Sequence, residues 1–584
     1  MIVPMKRVTV LCLESAREAT LEHLRELGVL HLEHVRPPES DAVEAARKDR
    51  AYYRRALEVL PARAAAAPSG RPPLEIVRAI WDCIHERQAL VERLEGLRHE
   101  RQRIAPFGDF DPAAARALAA RGLAVRLYQA DPKSAPAAPP GAVLRVLSRS
   151  KEAVYFAVIG PADAPAPVGT EVRLPETGLG ELDRQIAESE SALERNRRAL
   201  EVFAGDRAAV AAQAAEAEDR MALLQAAAGM GAVQRVAWLQ GYCPAEDAAC
   251  IRESAAQGGW GVLVETPAED EPVPTLIRNP RWVRPIQAVF RLVGILPGYR
   301  EIDISAVFLL FFSLFFAMLV GDAGYGVLFL GLTLWARKKT GAQPNPAIAL
   351  MLIMSFCTIV WGVLTGTWFG LTWRPAIPAL TRNETVMGLC FLIGAVQLSI
   401  AHVWNIVRQR RSPQALAQLG WLAITWVMYF AANAMVLNRP FPRPMLGALA
   451  GGVALIALFM TPPRRLKTEW FNHVMLPLNL VSSFVDIVSY IRLFAVGTAT
   501  VSVAQAFNNI ALGGGPIGLG RGIAAALILF VGHALNVVLA GMGVIVHGVR
   551  LNTLEFSGHL GMQWTGLPYR PFARAAAGAG SGET

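Results

Sequence analysis

The chain has 584 residues, 53% of them hydrophobic, and a formal net charge of +9, which is long enough for several domains. The charge is uneven: residues 1–304 carry 39 Lys and Arg against 42 Asp and Glu, whereas residues 305–584 carry 18 against 6. Few acids, apolar runs and short basic loops are typical of a membrane domain, so the basic balance does not indicate nucleic-acid binding. The 6 cysteines are scattered without a CxxC pair, so neither a zinc site nor a disulfide framework is indicated.

The first half is predicted to be a cytosolic α/β domain. Residues 1–10 lack the apolar core of a signal peptide. Arg7–Leu13 is rich in strand formers, Ser15–Leu27 has a helical pattern that ends at Gly28, and Val29–Val35 is extended again. Further strands are predicted at Val143–Leu147, Ala153–Ile159, Arg235–Gly241 and Trp260–Glu265.

Two long helical stretches in this half have apolar residues at heptad-like spacing. The first follows a break near Pro61–Pro73 and runs from Val77 to Leu94. The second runs from Leu182 to Phe203 and contains polar Ser189 and Asn196. This pattern predicts an antiparallel coiled-coil rod between two small lobes. The alternative is a compact α/β domain with two ordinary helices.

The second half contains apolar runs after a Pro- and Arg-containing connector, Pro272–Arg300. Each run is long enough to cross a bilayer as a helix, which needs about 20 residues. The runs are 306–336, 347–371, 386–407, 415–437, 444–461, 471–511 and 521–549.

Basic clusters at 337–339, 408–411 and 464–467 and at Arg550 predict the topology, since such residues stay in the cytosol. The first half is placed there too, so an even number of crossings must precede residue 337. The first run is therefore predicted to be two short helices separated at Gly321–Gly324. The total becomes eight membrane helices with both termini cytosolic, and the last two helices are long enough to require tilting.

This topology divides the chain into four predicted segments. They are a cytosolic α/β and coiled-coil domain at 1–275, a connector at 276–304, a membrane domain at 305–556 and a cytosolic tail at 557–584.

Polar residues interrupt the seventh helix at helical spacing. Ionisable residues in apolar runs cost roughly 2.5–3.5 kcal/mol each on insertion scales, so they usually face a pore or a partner. The residues concerned are Asn479, Ser482, Ser483, Asp486, Ser489 and Tyr490. They indicate either one wall of an aqueous half-channel or polar contacts between helices. Arg492, which follows them, favours the channel because a guanidinium keeps its proton and needs water or a carboxylate.

The eighth helix is predicted to carry polar groups at both ends of one face, with small residues between them. The face consists of His533, Asn536, Ala540, Gly543, His547 and Arg550. Arg550 is predicted either to face the same site as Arg492 or to extend to the cytosolic surface. Elsewhere, Asp322 is interpreted as a hinge residue that caps a helix, and His402 as a hydrogen-bonded core residue.

Several motifs are absent from the sequence. It has neither a GxxxxGK[ST] loop for nucleotide phosphates nor an HExxH zinc motif. We therefore expect no catalytic residue, metal, cofactor or direct nucleotide binding. Arg492 also lacks an obvious internal partner, which indicates that its carboxylate lies on another subunit.

Motifs along nearly the whole chain resemble subunit I, also called subunit a, of the V-type and A-type rotary ATPases of prokaryotes. The first β–α–β unit from Lys6 to His31 and the landmarks Pro106–Phe110, Trp238–Pro244 and Pro274–Pro280 fit the soluble half of that family. The strongest matches are Phe315–Gly326 (FFAMLVGDAGYG), Trp361–Gly370 (WGVLTGTWFG), Ser489–Ala495 (SYIRLFA) and His547–Phe556 (HGVRLNTLEF).

The resemblance implies a stator in the prokaryotic plasma membrane. Its last two helices would cradle a rotor ring of small proteolipid subunits, and its soluble half would bind peripheral stalk subunits of the E/G type. Arg492 would be the essential arginine facing the ring, Arg550 the second arginine, and Glu555 the acidic residue beyond it. One departure is Ala540-Gly541, where eukaryotic members have a glutamate. The chain is also compact for the family, which implies a short coiled-coil arm.

The implied function is coupling of H⁺ or Na⁺ translocation to ATP synthesis or hydrolysis on other subunits. The alternative is a self-contained secondary ion transporter with a cytosolic regulatory domain, which predicts paired inverted repeats that the sequence does not show. A third interpretation is a membrane-anchored scaffold that conducts nothing.

Overall fold

A computed structural model describes residues 1–61, 67–133, 136–341, 345–462, 467, 469–513 and 518–574. These residues divide into two compact units. One comprises Met1–Val8, Gly241–Arg252 and Leu263–Pro571, and the other Thr9–Gln240, Glu253–Val262 and the described residues from Phe572. Most of the predicted basic cluster at 464–467 and the end of the predicted tail lie outside the described residues.

The elements predicted in the first half are confirmed. Its helices are α1 Arg17–Leu27, α2 Asp41–Val59, α3 Pro73–Ile104, α4 Pro112–Ala119, α5 Leu179–Val202, α6 Arg207–Gly229, α7 Ala248–Gly258 and α8 Gln287–Val293. Its strands are β1 Met5–Leu13, β2 His31–Glu33, β3 Leu123–Ala130, β4 Val143–Arg149, β5 Val154–Pro161, β6 Thr170–Val172, β7 Gly231–Val233, β8 Val236–Pro244, β9 Gly261–Glu265 and β10 Pro274–Thr275. One sheet has the order β2-β8-β1-β9, with β7 paired to β8, and a second has the order β4-β5-β3-β6.

Helices α3 and α5 pack against each other in antiparallel orientation. The buried Asn196 donates from Nδ2 to the carbonyl of Cys83 at 3.0 Å and to Glu86 Oε2 at 2.7 Å. Further along α3, Arg101 pairs with Asp183, near the start of α5. Residues later in α3 thus contact residues earlier in α5, which is the antiparallel arrangement. The pairing agrees with the predicted rod, whose coiled-coil geometry stays a prediction.

The second half is helical. Its helices are α9 Ser305–Val320, α10 Ala323–Thr340, α11 Pro346–Thr365, α12 Asn383–Arg408, α13 Gln414–Leu437, α14 Pro444–Phe459, α15 Trp470–Val474, α16 Leu476–Ser489, α17 Ile491–Leu512, α18 Leu519–Gly543 and α19 Ser557–His559. Two π-helical segments, Val544–Gly548 and Leu551–Phe556, continue α18 toward α19. Three short strands complete the fold: β11 Thr367–Trp368, β12 Leu371–Thr372 and β13 Leu567–Pro568.

Five helices in the described part of the chain are long and apolar enough to cross a membrane. The two longest come last, Leu476–Leu512 with 37 residues and Leu519–His559 with 41. The predicted split of the first run is a real break, because α9 and α10 are bent by 120° at residues 321–322. With the bent pair and the shorter α14, eight apolar helices are described, and the number of crossings stays a prediction.

Asp322 holds this break. Its carboxylate is fully buried and accepts hydrogen bonds from the backbone N–H groups of Gly324 and Tyr325, which caps α10. It also accepts from the N–H groups of Phe369 at 2.8 Å and Gly370 at 2.7 Å, in the β11–β12 hairpin. One side chain therefore joins the start of α10 to the hairpin that follows α11.

Helix α11 approaches this break at Gly362, where a side chain has no room. A β-carbon built on Gly362 would overlap the backbone of Ala323. We expect Gly362→Ala to lower the thermal unfolding midpoint of the purified protein, because overpacking typically costs about 1–3 kcal/mol. Gly331→Ala is the matched control, since a β-carbon at Gly331 in α10 meets nothing within 4 Å. Equal midpoints for the two variants would contradict this prediction.

The six cysteines are free in the structure. Burial raises the pKa of the Cys243 thiol to about 11, whereas Cys250 is exposed. Since the thiolate is the reactive form, Cys243 stays protonated and unreactive at pH 8. After iodoacetamide treatment at that pH, we expect peptide mapping to find Cys250 alkylated and Cys243 unmodified. Equal labelling of the two thiols would contradict the burial of Cys243.

Candidate functional site

Arg492 is the second residue of α17 and lies beside a carboxylate of the same chain. Its Nη1 is 3.4 Å from Glu555 Oε1, and its Nη2 donates to Ser489 Oγ at 3.0 Å. The Nε of Arg550 is 3.6 Å from the same Glu555 oxygen. The inference that Arg492 lacks an internal partner was therefore wrong. Glu555 was recognised only as an acidic position near Arg550, 63 residues away from Arg492.

The burial of these three side chains is graded. The Glu555 side chain is 5% exposed, that of Arg492 26% and that of Arg550 52%. Both guanidinium contacts are longer than the roughly 2.7–2.9 Å of a tight charge-assisted bond. Glu555 Oε2 has no hydrogen-bond partner among the described residues. Two cations thus share one anion loosely, which leaves positive charge available to a second carboxylate.

The winding of the last helix explains this arrangement and corrects a predicted face. Regular α-helical spacing would put His533, Asn536 and Arg550 on one side. The π-helical segments that begin at Val544 change the phase. Asn536 and Ala540 are buried, whereas Arg550 is exposed and Glu555 takes the buried position. His547, in the first π-helical segment, is partly exposed.

Five of the predicted half-channel residues meet in one pocket of about 410 Å³, here called the polar pocket. Its predicted members are Asn479, Ser482, Ser483, Asp486 and Glu555. His402, Gln418 and His559 also line it. Its walls come from α12, α13, α16 and the last helix, and it ends at the carboxylate that contacts Arg492.

Titratable side chains face one another across the polar pocket. His559 Nε2 lies 3.1 Å from Asp486 Oδ2, and His402 Nδ1 lies 3.0 Å from Gln418 Oε1. The His402 and His559 rings are 5.0 Å apart in an edge-to-face contact. His402 is thus hydrogen-bonded, as predicted, although it also belongs to the pocket. No cluster of His, Cys, Asp and Glu that could hold a metal ion occurs within the described ranges.

A second pocket of about 280 Å³, here called the loop pocket, is lined in part by α17. It starts at the segment between α11 and α12, with Thr372 and Thr381, and follows α17 from Gln505 back to Leu493. Leu493 adjoins Arg492 in the chain. The polar pocket and the loop pocket therefore approach Arg492 from different sets of helices.

His533 and Asn536 form a separate network. Asn536 Nδ2 donates to the Tyr325 hydroxyl, which lies 2.7 Å from His533 Nδ1. Asn508 Nδ2 donates to the carbonyl of Phe369, and Asn508 Oδ1 lies 3.1 Å from His533 Nε2. The network connects α10, α17 and α18 and does not line the polar pocket.

Tyr490 also lies apart from the polar pocket. It takes part in a series of side-chain hydrogen bonds that the sequence did not predict. Its fully buried hydroxyl donates to Gln397 Oε1, and Gln397 Nε2 donates to Asn552 Oδ1, both at 2.9 Å. Asn552 precedes Glu555 by three residues, so these hydrogen bonds hold in place the segment that carries the Glu555 carboxylate. The available signal was Gln397 itself, an amide in the middle of an apolar run.

Comparisons with known proteins agree in naming one subunit. The chain is 30% identical to "V-type ATP synthase subunit I 1" of Treponema pallidum (strain Nichols) and 29% identical to "V-type ATP synthase subunit I" of Borreliella burgdorferi. Both alignments cover 98% of this chain and 100% of the relative. "A-type ATP synthase subunit I" of Methanocaldococcus jannaschii is 25% identical over 56% of this chain and 53% of its own length. No protein-family model matches.

Among solved structures, one match is a crystal structure of the cytoplasmic N-terminal domain of subunit I, homolog of subunit a, of V-ATPase. It is 17% identical and covers 44% of this chain and 99% of that domain, at a TM-score of 0.23 that supports no comparison of folds. The relative from Treponema, by contrast, is aligned over its entire length at 30% identity. On that alignment, the chain belongs to the V-type ATP synthase subunit I family.

Proposed function

We propose that the chain is the stator ion-channel subunit of a V/A-type rotary ATPase. It offers two aqueous half-channels to a rotor ring of small proteolipid subunits and couples movement of H⁺ or Na⁺ to ATP synthesis or hydrolysis on other subunits. The observation that carries this proposal is Arg492, which contacts Glu555 loosely at 3.4 Å beside the polar pocket.

Exchange of the carboxylate partner of Arg492 is the central step. A rotor carboxylate crosses the lipid in its neutral, ion-bound form, because a bare carboxylate in lipid is very costly. When it reaches Arg492, the guanidinium stabilises its ionised form, so the ion is released. Arg492 cannot lose its own proton and thus remains a positive barrier between the two half-channels. The long contact to Glu555 allows the guanidinium to turn toward the rotor.

The two pockets supply the access routes in this proposal. The polar pocket is lined near the ends of α12 and α13 that adjoin the basic cluster at 408–411, so we assign it to the cytosolic side. The loop pocket opens at the less basic segment between α11 and α12, which we assign to the opposite side. Arg492 lies between the two openings and prevents a direct leak.

We also propose the topology and the functional division given by the sequence. Helices α9 and α10 then count as two short crossings, which gives eight crossings with both termini cytosolic. Residues 1–275 bind the peripheral stalk, 276–304 connect, 305–556 form the ion channel and 557–584 form the tail. The distribution of charge supports this division. The first 304 residues contain 39 of the 57 basic residues and 42 of the 48 acidic residues.

Reconstitution distinguishes this function from a self-contained transporter. We expect the purified chain to bring down a small-subunit ring and stalk proteins. Vesicles that contain the full complex should show ATP-driven ion uptake, and vesicles with the chain alone should show none. Uptake by the isolated chain in an applied ion gradient would support the secondary transporter instead. If the complex pumps ions without this chain, the chain acts only as a scaffold.

Glu555→Gln removes the internal anion and keeps the shape of the side chain. We expect ATP-driven uptake to fall by about ten-fold or more, because the two guanidinium groups lose a charge-assisted contact worth about 1.5–3 kcal/mol. The measurement is initial uptake by reconstituted vesicles at equal complex content. Glu384→Gln, at an exposed position in α12, is the control. Unchanged uptake in Glu555→Gln would remove the internal carboxylate from the mechanism.

A further inference from the structure

An apolar groove of about 670 Å³ lies between α9 and α11, away from both pockets of the candidate site. Its floor is formed by Leu309, Leu314 and Ala317 of α9 and by Phe356 and Val360 of α11, among others. No charged side chain lines it. Ser313, its hydroxyl-bearing residue, already donates to the carbonyl of Leu309 at 2.7 Å. The groove thus offers contacts to hydrocarbon and no free hydrogen-bonding group from that serine.

Trp282 lines the groove and is 65% exposed. It belongs to a short segment, 281–293, that packs on α9 and α11 through buried Ile286 and Phe290. The opposite side of this segment exposes Leu292. Tryptophan and exposed apolar residues on one amphipathic segment are typical of the membrane–water interface. We therefore place the part of the groove beside Trp282 at headgroup depth.

Basic side chains lie on the same segment as Trp282. Arg281, Arg284 and Arg291 are exposed on the same segment, and neither Arg281 nor Arg291 has an ion pair within the part of the chain that the structure describes. Residues 337–339 add three more cations at the end of α10, the helix that packs along α11. The three acids between 281 and 341, Glu301, Asp303 and Asp322, accept hydrogen bonds from other groups of the chain.

We propose that the groove and the segment 281–293 form a binding site for one anionic phospholipid. An acyl chain lies along α9 and α11, and the phosphate group contacts Arg281 and Arg291. Charge complementarity selects the headgroup, since basic pockets between membrane helices on the cytosolic side bind anionic lipid. The groove selects a lipid over a free anion, because it supplies apolar surface directly beside the cations. This site is independent of the ion-translocating role proposed above.

The test uses the intact purified complex, stripped of lipid by detergent and then supplied with equal amounts of phosphatidylglycerol and phosphatidylcholine. Native mass spectrometry counts the lipids retained by each form. We expect the wild-type complex to retain phosphatidylglycerol preferentially, and Arg281→Gln/Arg291→Gln to retain about ten-fold less. Val360→Trp, which fills the groove from an exposed position, is expected to reduce retention without removing any charge.

Arg374→Gln/Arg382→Gln is the matched control, because it removes two exposed arginines from the segment between α11 and α12. It should leave retention unchanged. Equal retention of the two lipids by the wild type would overturn the proposal. So would unchanged retention in Val360→Trp, or displacement of the lipid by millimolar inorganic phosphate, since a bound acyl chain should resist that competitor.

Discussion

Arg492→Ala is expected to abolish ATP-driven ion uptake while the complex still assembles. The substitution removes the one guanidinium that contacts both Ser489 and the buried Glu555. In the proposed mechanism it also removes the partner of the ionised rotor carboxylate, and loss of such a pair, at roughly 3–5 kcal/mol, corresponds to a loss of about 100-fold or more in rate. The rotor carboxylate also loses the positive charge that favours its ionisation. Uptake by vesicles, measured with a pH-sensitive dye for H⁺ and with radioactive Na⁺, checks the prediction for either ion.

Two further variants identify the reason for the loss. Arg492→Lys keeps the charge without the planar group that reaches both partners, and it should retain a small fraction of the uptake. Arg443→Ala removes an exposed arginine just before α14 and should pump normally. ATP-driven uptake by Arg492→Ala within two-fold of the wild type, at equal assembly, would refute the assignment of Arg492.

Asp322→Ala should destabilise the membrane half more than any surface substitution. It removes the acceptor for the backbone N–H groups of Gly324, Tyr325, Phe369 and Gly370. A buried donor left unsatisfied costs about 1–3 kcal/mol, so we expect a total loss of roughly 3 kcal/mol or more. The thermal unfolding midpoint of the purified complex in detergent is the measurement.

The asparagine variant and an exposed control make this prediction specific. Asp322→Asn keeps one acceptor oxygen but turns an amide donor toward backbone donors. Its midpoint should therefore fall between those of Asp322→Ala and the wild type. Glu384→Ala removes an exposed acid from α12 and should not shift the midpoint. If the three variants unfold at one temperature, the carboxylate does not hold the break between α9 and α10.

Much of the architecture was predictable because local signals determine it. The strands and helices of the first half follow residue periodicity and glycine positions, such as Gly28 in the left-handed conformation at the end of α1. The break between α9 and α10 follows from glycine and a capping residue in an apolar run, and Gly321 indeed has a φ of 71°. These features depend on residues within a few positions of one another.

The pairings at the candidate site depend on distant residues and were less predictable. The polar spacing in α16 placed Asn479 and Asp486 in one pocket, but nothing local to Asp486 indicates His559 as its partner. The contact between Arg492 and Glu555 required the path of the last helix, which is not α-helical throughout. Counting at 3.6 residues per turn therefore assigned Arg550 to a face that it does not share with Asn536.

The π-helical segments also determine how the chain tolerates changes in length. Each residue of an α-helix advances about 100° around the axis, and a π-helical turn accommodates about one additional residue. Deleting a single residue between Val544 and Gly548 would thus leave the helix continuous but rotate everything beyond it. Glu555 would turn away from Arg492, although neither residue had been altered. We therefore expect a one-residue gap at this point in a related chain to mark a different pairing, even where every charged position is preserved.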